Sequence, residues 1–428
     1  MDRLLDEARR LDREDALRHF RGQFCFPVQG DGSPQTYFCG HSLGLQPRAV
    51  ETAMQEELRA WRDRAVGGHF KGSPAWIDYA DGLAEMMSGL TGASPSEISV
   101  MNTLSVNLHL MMVSFYRPSG RRRKILIEAH AFPSDRYAVA SQIRFHGLDP
   151  EECLLELGAS DDGRTIEESD IEALLRERGE EIALVLWPGL QYASGQRFDL
   201  QRIASAARKA GARVGFDLAH SIGNVPLDLH GSGCDFAAWC TYKYLNGGPG
   251  AVGACFVHER HGDGAGLPRF EGWWGNDRGS RFRMSAEFSA APGADAWQLS
   301  NPPILAMTPL RVSIAQFREA GMDRLRAKSR ALTSWLESRI VERLDPVLDI
   351  LTPRDPARRG CQLSLRVRSG RGAGRRLFEY LEARGVITDW REPDVIRIAP
   401  VPLYNNHEDC LVFVRGVEEW AAGEGGSA

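Results

Sequence analysis

The sequence predicts an α/β protein: a large domain on a mainly parallel sheet, followed by a small α/β domain at the C-terminus. Three observations predict it. From Ile98 onward, short apolar runs alternate with helical stretches, the pattern of βαβ units. Two of those runs, Val214–Phe216 and Phe236–Cys240, stop at Asp217 and at Tyr242–Lys243, and an open α/β sheet binds ligands just beyond the carboxyl ends of its strands. Near Ser300–Asn301–Pro302–Pro303 the alternation ends and a long helical segment begins.

Taken in order, residues 1–22 read as an amphipathic helix, and Phe24–Gly44 as an irregular arm containing YFCGHSLGLQP. Pro47–Arg64 returns to helical periodicity, GGHFKGSPAW forms a loop carrying His69, and Ala75–Thr91 is helical again. Strands are expected at Ile98–Met101, Lys124–Glu128, Ala183–Trp187, Arg213–Phe216, Asp235–Cys240 and Ala254–Val257. A helix from about Met307 to Leu344 with Gly321 inside it opens the last part. Strands at Gln362–Val367 and Val395–Ala399, a helix near Arg375–Arg384, a terminal helix and a frayed GEGGSA end complete it. The expected division is an N-terminal helix and arm over 1–50, a large domain over 51–305 and a small domain over 306–428.

Composition narrows the class of function. The 428 residues are 43% hydrophobic and 25% charged, enough for a sizeable core and about two or three domains. A net charge of −5 offers no electrostatic case for nucleic acid or an anionic membrane. The basic run Arg121–Lys124 reads as a solvated turn. No apolar stretch approaches the roughly 18 residues a spanning helix needs, and the start, MDRLLDEARRLDRED, lacks a signal peptide's apolar core. Eight cysteines without a CxxC pair or a Cys/His cluster fit reduced thiols in a cytoplasmic protein and point to no metal.

Asp217 and Lys243, at neighbouring strand ends, suit pyridoxal 5′-phosphate (PLP). This cofactor needs a lysine to hold its aldehyde and an acid to keep its pyridine nitrogen protonated. Its phosphate needs backbone N–H groups at a helix N-terminus. Leu104 and Ser105 offer them at the start of the apolar helix Ser105–Phe115, although Ser105 alone also reads as a plain helix cap. Phe132, in HAFPSD, is a candidate to stack on the ring, with Asp135 beside it. His220 stands three residues after Asp217, and Arg397 has the fork that captures a carboxylate, although by itself it reads as a surface strand residue.

The stretches FDLAHSIGNVPLDLH, CTYKYLNGGPGA, YFCGHSLGLQP, HAFPSD, LSNPPIL and IRIAPVPLYN, which fall in register at sensible spacing along the chain, together resemble the kynureninases. These are PLP enzymes of the aspartate aminotransferase superfold, fold type I, and the resemblance runs from about Tyr37 to Asn405. It implies hydrolysis of L-kynurenine to anthranilate and L-alanine, in tryptophan catabolism and NAD biosynthesis, by a homodimer with shared active sites. It implies that Lys243 forms the imine and that Tyr242 contacts the phosphate and moves protons. Asp217 and His220 would hold the ring; Leu104, Ser105 and the segment Phe132, Pro133, Ser134 and Asp135 would make phosphate and ring contacts. Trp273 and Asn301 would reach the partner subunit's cofactor, and Arg397 would clamp the substrate's α-carboxylate.

Relatives carry Ser or Thr where this chain has Pro188, so a hydroxyl is lost there, and either another group such as Gln191 or nothing takes its place. Family members that favour 3-hydroxykynurenine resemble this chain in His69 and in Ser300–Asn301; those that favour kynurenine carry Trp and Gly–Thr. The alternatives are another fold type I enzyme, such as a cysteine desulfurase or an aminotransferase, and a non-catalytic dimeric scaffold. A desulfurase needs a mobile cysteine, whereas Cys361 falls at the start of an expected strand.

Overall fold

A computed structural model describes residues 2–159, 165–262 and 266–424. The last four residues of the expected frayed end lie outside the described residues. Seven strands form the main sheet: β1 (Ile98–Val100), β2 (Lys124–Glu128), β3 (Leu154–Leu157), β4 (Ile182–Pro188), β5 (Arg213–Asp217), β6 (Phe236–Trp239) and β7 (Ala254–Val257). Their spatial order is β1-β7-β6-β5-β4-β2-β3. Neighbours from β6 to β3 are parallel, and β7 runs antiparallel to both β6 and β1. The central strands are buried on both faces, as in helix-covered parallel sheets.

A second sheet holds β8 (Leu348–Ile350), β9 (Leu363–Val367), β10 (Asp389–Arg391) and β11 (Val395–Ile398), in the order β8-β9-β11-β10 and wholly antiparallel. It has its own apolar core with the helices Met322–Arg343, Arg371–Ala383 and His407–Glu424, which includes Leu336, Leu365, Leu377 and Val414. Among the described residues no helix is long and apolar enough to cross a membrane.

All eight expected strands recur within one residue at each end; β3 at the sheet edge, and β8 and β10, were not anticipated. Short strands of mixed polarity leave little periodic signal. The helix expected over 1–22 spans only Arg3–Glu14, followed by a 3₁₀ turn at Arg18–Gln23. The Asp15 carboxylate accepts the Leu17 N–H (2.8 Å), a local bond that competes with the helix. The long helix expected from Met307 is two, Ile304–Ala320 and Met322–Arg343. Gly321 breaks it at φ 77°, a conformation glycine adopts without steric cost.

The basic run is not merely a solvated turn. The Arg122 guanidinium donates to the carbonyls of Gly179 (2.8 Å), Ile182 (2.7 Å) and Ala210 (3.0 Å), tying the turn before β2 to the starts of β4 and β5. Arg122→Met removes all three donors and should destabilise the protein by about 2–3 kcal/mol, read as a lower urea midpoint with an unchanged slope. A shift under about 0.5 kcal/mol, typical of a surface arginine, would reject this role.

Candidate active site

The carboxyl ends of β2, β4 and β5 and the loop after β6 open onto one pocket. It is lined by Thr103, Leu104, Ser105, Glu128, Phe132, Ser134, Asp135, Pro188, Tyr192, Asp217, His220, Tyr242 and Lys243, among others. Register explains the convergence: Pro188 in β4 pairs with Asp217 in β5, which pairs with Ala238 in β6. Four residues beyond Trp239, the chain turns Lys243 back over the strand ends.

Lys243 Nζ lies 3.0 Å from His220 Nε2. Burial, and then the charge of Lys243, hold His220 well below the usual imidazole range, so the ring is neutral. Asp217 is buried, and its carboxylate accepts the Ala219 N–H at 2.7 Å. Asp135 and Glu128 face the same space. Burial, and then the charge of Asp217, raise both, Glu128 to about 8. The Tyr242 hydroxyl is raised above 10, by burial first, and stays protonated at neutral pH.

The helix Leu104–Phe115 points its N-terminus into the pocket. Thr103 occupies the cap position and no side chain caps the helix, so Ser105 is not its cap but lies in the first turn. Ser105 Oγ meets Ser134 Oγ at 2.9 Å, where Pro133 starts the helix Pro133–Phe145. The uncapped N–H groups and the two hydroxyls suit a phosphate. Phe132 leaves 40% of its surface exposed and stands 5.8 Å from Lys243 Nζ, edge-on to Tyr192. These residues fit PLP: an anion seat, an aromatic face, a carboxylate and an amine.

Arg397, in β11, lies outside the pocket lining but close behind it. It is not a surface residue: its side chain is 1% exposed. Nε donates to Asp389 Oδ2 (2.7 Å) and Nη1 to the Tyr192 carbonyl (2.6 Å). Nη2 lies 2.6 Å from the same Asp389 oxygen but is not aligned to donate to it.

Trp273, Ser300, Asn301 and His69 do not line this chain's pocket. Ser300 and Asn301 stand at the surface, ahead of the helix Ile304–Ala320. Trp273 is 44% exposed and edge-on to Phe282, which is edge-on to Phe70; His69 packs edge-on against Trp76. The Gln191 oxygen is occupied by the N–H groups of Ala193 (2.6 Å) and Ser194 (2.8 Å). Cys361 is fully buried, its N–H bonded to Asn224 and its thiol pushed up to about 12 by burial. That is no mobile nucleophile. Away from the pocket, Glu97, His230 and His258 gather, but the Glu97 carboxylate is occupied by the N–H groups of Ser94 and Glu259 and by His230.

Sequence reasoning missed Glu128, Tyr192 and Asp389. Glu128 had a usable signal, since it ends the apolar run of β2 as Asp217 ends that of β5.

This fold and site define the class: a PLP-dependent enzyme of fold type I. The same fold appears in a cysteine desulfurase from Thermococcus onnurineus NA1, with a TM-score of 0.75 and 18% identity over 91% of this chain and 95% of that one. It appears also in a C-DES variant with glycine covalently linked to its PLP cofactor (TM-score 0.77, 18% identity, 93% and 99% covered). The kynureninase of Stenotrophomonas maltophilia (strain K279a) is 57% identical over 411 residues, 96% of this chain and 97% of that protein. That of Xanthomonas axonopodis pv. citri (strain 306) is 57% identical over 412 residues, with the same coverage. The family model for the kynureninase C-terminal domain matches residues 325–417. The chain belongs to the kynureninase family, PLP-dependent hydrolases that cleave carbon–carbon bonds.

The raised Glu128 carboxyl has a consequence for stability. In the unfolded chain it titrates near 4.5, in the folded protein near 8. Between those values the folded state holds a proton that the unfolded state has released, so stability falls with pH there. This contribution is complete below about 4.5 and is lost as pH rises through about 8. Urea unfolding of the cofactor-free protein should show a decline from pH 5 to 8 that Glu128→Gln makes shallower. An identical pH slope in the two proteins would mean that Glu128 is ionised.

Proposed function

We propose that this enzyme hydrolyses the Cβ–Cγ bond of L-kynurenine, 3-hydroxy-L-kynurenine or both, releasing L-alanine and the corresponding anthranilate. Family membership supports the reaction. The observation that carries it is the convergence of Lys243, Asp217 and the uncapped helix start at Leu104 on one pocket. In this reading the enzyme is cytoplasmic and serves tryptophan catabolism and NAD biosynthesis.

Bound PLP supplies an electron sink for the substrate's α-carbon. Leu104, Ser105 and Ser134 would hold its phosphate, Phe132 is the candidate to stack on its ring, and Asp135 and His220 would complete the contacts. Asp217 keeps a proton on the pyridine nitrogen. Lys243 would hold the cofactor's aldehyde and would be the base for the α-proton. Its neighbour His220 is neutral and so leaves the amine free to do this. Tyr242, a protonated phenol, delivers protons at the γ-carbonyl and at the β-carbon after the aromatic product leaves. Arg397 takes the α-carboxylate.

The enzyme is in this reading a homodimer whose subunits share active sites. Trp273, Phe282 and Phe70 are respectively 44%, 51% and 61% exposed and touch edge to edge. Such a contiguous aromatic surface supports burial against a second copy. It lies beside His69, so His69, Trp273, Ser300 and Asn301 would serve the neighbouring site.

Lys243→Ala should fold normally, lose covalent cofactor attachment after borohydride reduction, and fall to background activity. Anthranilate fluorescence and mass spectrometry read the two effects, and substantial turnover by the variant would reject the assignment.

The polar pair His69 and Asn301 favours 3-hydroxykynurenine, because a site that hydrogen-bonds a hydroxyl discriminates against the analogue lacking it. Wild type should use 3-hydroxykynurenine at least as well as kynurenine by kcat/KM, and His69→Trp should shift the ratio toward kynurenine. A wild-type preference for kynurenine of about tenfold, roughly 1.4 kcal/mol, would rule the polar wall out.

A further inference from the structure

The N-terminal arm carries a buried histidine that none of these roles uses. Cys39–Gly44 runs between the two halves of the site. Cys39 bridges Ala399, the residue after β11, and the Gly44 N–H donates to the Tyr242 carbonyl (2.8 Å). A Cβ on Gly44 would overlap the Lys243 carbonyl and the Asn246 side chain, so only glycine permits this approach. His41 therefore lies between the lysine loop and the arginine strand.

Its side chain is 0% exposed, and neither ring nitrogen has a hydrogen-bond partner. Asp389 Oδ2 is 3.7 Å from Nε2, beyond hydrogen-bond range. That carboxylate is already shared by Arg397, Arg391 and Ser42. The charged groups facing the ring are Arg397, Asp389 and Arg391, with Lys243 behind His220. Burial, and then Arg397, push His41 down to about 3, so the ring is neutral and one nitrogen carries an N–H.

A buried donor left unused is costly and calls for an explanation. Arg397 Nη2 is also buried without a hydrogen bond, and it faces the same Asp389 oxygen as His41 Nε2, at 2.6 Å against 3.7 Å. The unused donor of His41 thus stands beside a guanidinium whose Nη2 is ion-paired with Asp389 but not aligned to donate to it, between Lys243 and β11. Their common complement is a carboxylate. We propose that His41 is a substrate-binding residue whose ring N–H joins Arg397 on the α-carboxylate of the amino-acid substrate. This rests on the reading of Arg397 as the carboxylate clamp. Asp389 already offsets the charge of Arg397, and a neutral second donor adds a directed hydrogen bond without adding charge that the site would have to balance. An α-carboxamide has the shape of the acid, but its NH₂ would oppose one of the donors, so the pair selects acid over amide.

The test titrates the holoenzyme with L-alanine and with L-alaninamide, taking both dissociation constants from the cofactor's absorbance. His41→Leu should weaken L-alanine by at least about tenfold and move L-alaninamide by less than about twofold. His41→Asn, whose amide also offers an N–H, should restore part of the loss. An unchanged acid-to-amide ratio in His41→Leu overturns the inference, and so does equal weakening of both ligands, which marks a packing role. Should the leucine variant not fold, His41→Phe carries the same test. Arg397→Met separates the failures. If it too leaves the ratio unchanged, the clamp reading falls along with His41; if it collapses the ratio while His41→Leu does not, only the inference about His41 falls.

Discussion

One amine against three acids is the constraint on which this site depends. Glu128, Asp135 and Asp217 are brought to the same place by the carboxyl ends of β2 and β5 and the helix after β2, with Lys243 facing them. Three buried carboxylates cannot all ionise beside one another. The Ala219 N–H donates to the Asp217 carboxylate, while burial, and then the charge of Asp217, raise Glu128 and Asp135. His220, kept neutral at 3.0 Å from the lysine, adds no second positive charge.

The sheet supplies that arrangement, but it does not complete the site. The second sheet contributes Arg397, and the N-terminal arm fastens the two together. The arm's backbone bonds to the residue after β11 at one end and to the Tyr242 carbonyl at the other. Tyr192 makes a second link, its ring against Phe132 and its carbonyl on Arg397. Positions of the amine and the guanidinium are therefore coupled through contacts to backbone, which is stiffer than coupling through flexible side chains.

Much of this was legible in advance, and the reason differs from part to part. β2 and β7 match their expected bounds, because strands buried in the middle of a sheet are nearly unbroken apolar runs bounded by turn and polar residues. Glu128 was overlooked although it obeys the rule that exposed Asp217. Edge strands β3 and β10 were invisible, since their residues are only partly buried and need not be apolar. Gly321 marked a helix break that periodicity on either side concealed, because both helices keep an apolar face, Ile304–Ala320 toward the main core and most of Met322–Arg343 toward the second sheet's core.

By itself the sequence determined the α/β class, the lysine and aspartate at neighbouring strand ends, the helix start suited to a phosphate, and the family. All of these are local: they depend on the order of apolar runs, on residue type and on short motifs. Only the tertiary structure decided that Arg397 is buried against Asp389 and Tyr192, that Arg122 ties three carbonyls, and that His41 lies between the arm's two anchors with both nitrogens unused. Asp389 is eight residues from Arg397, but Tyr192 is 205 residues away, and Arg122 reaches across 57 to 88 residues. Bonds of that span leave no periodic trace in the chain. They exist because the folded backbone closes those distances, and burial then makes each polar group's partner, or lack of one, a matter of free energy.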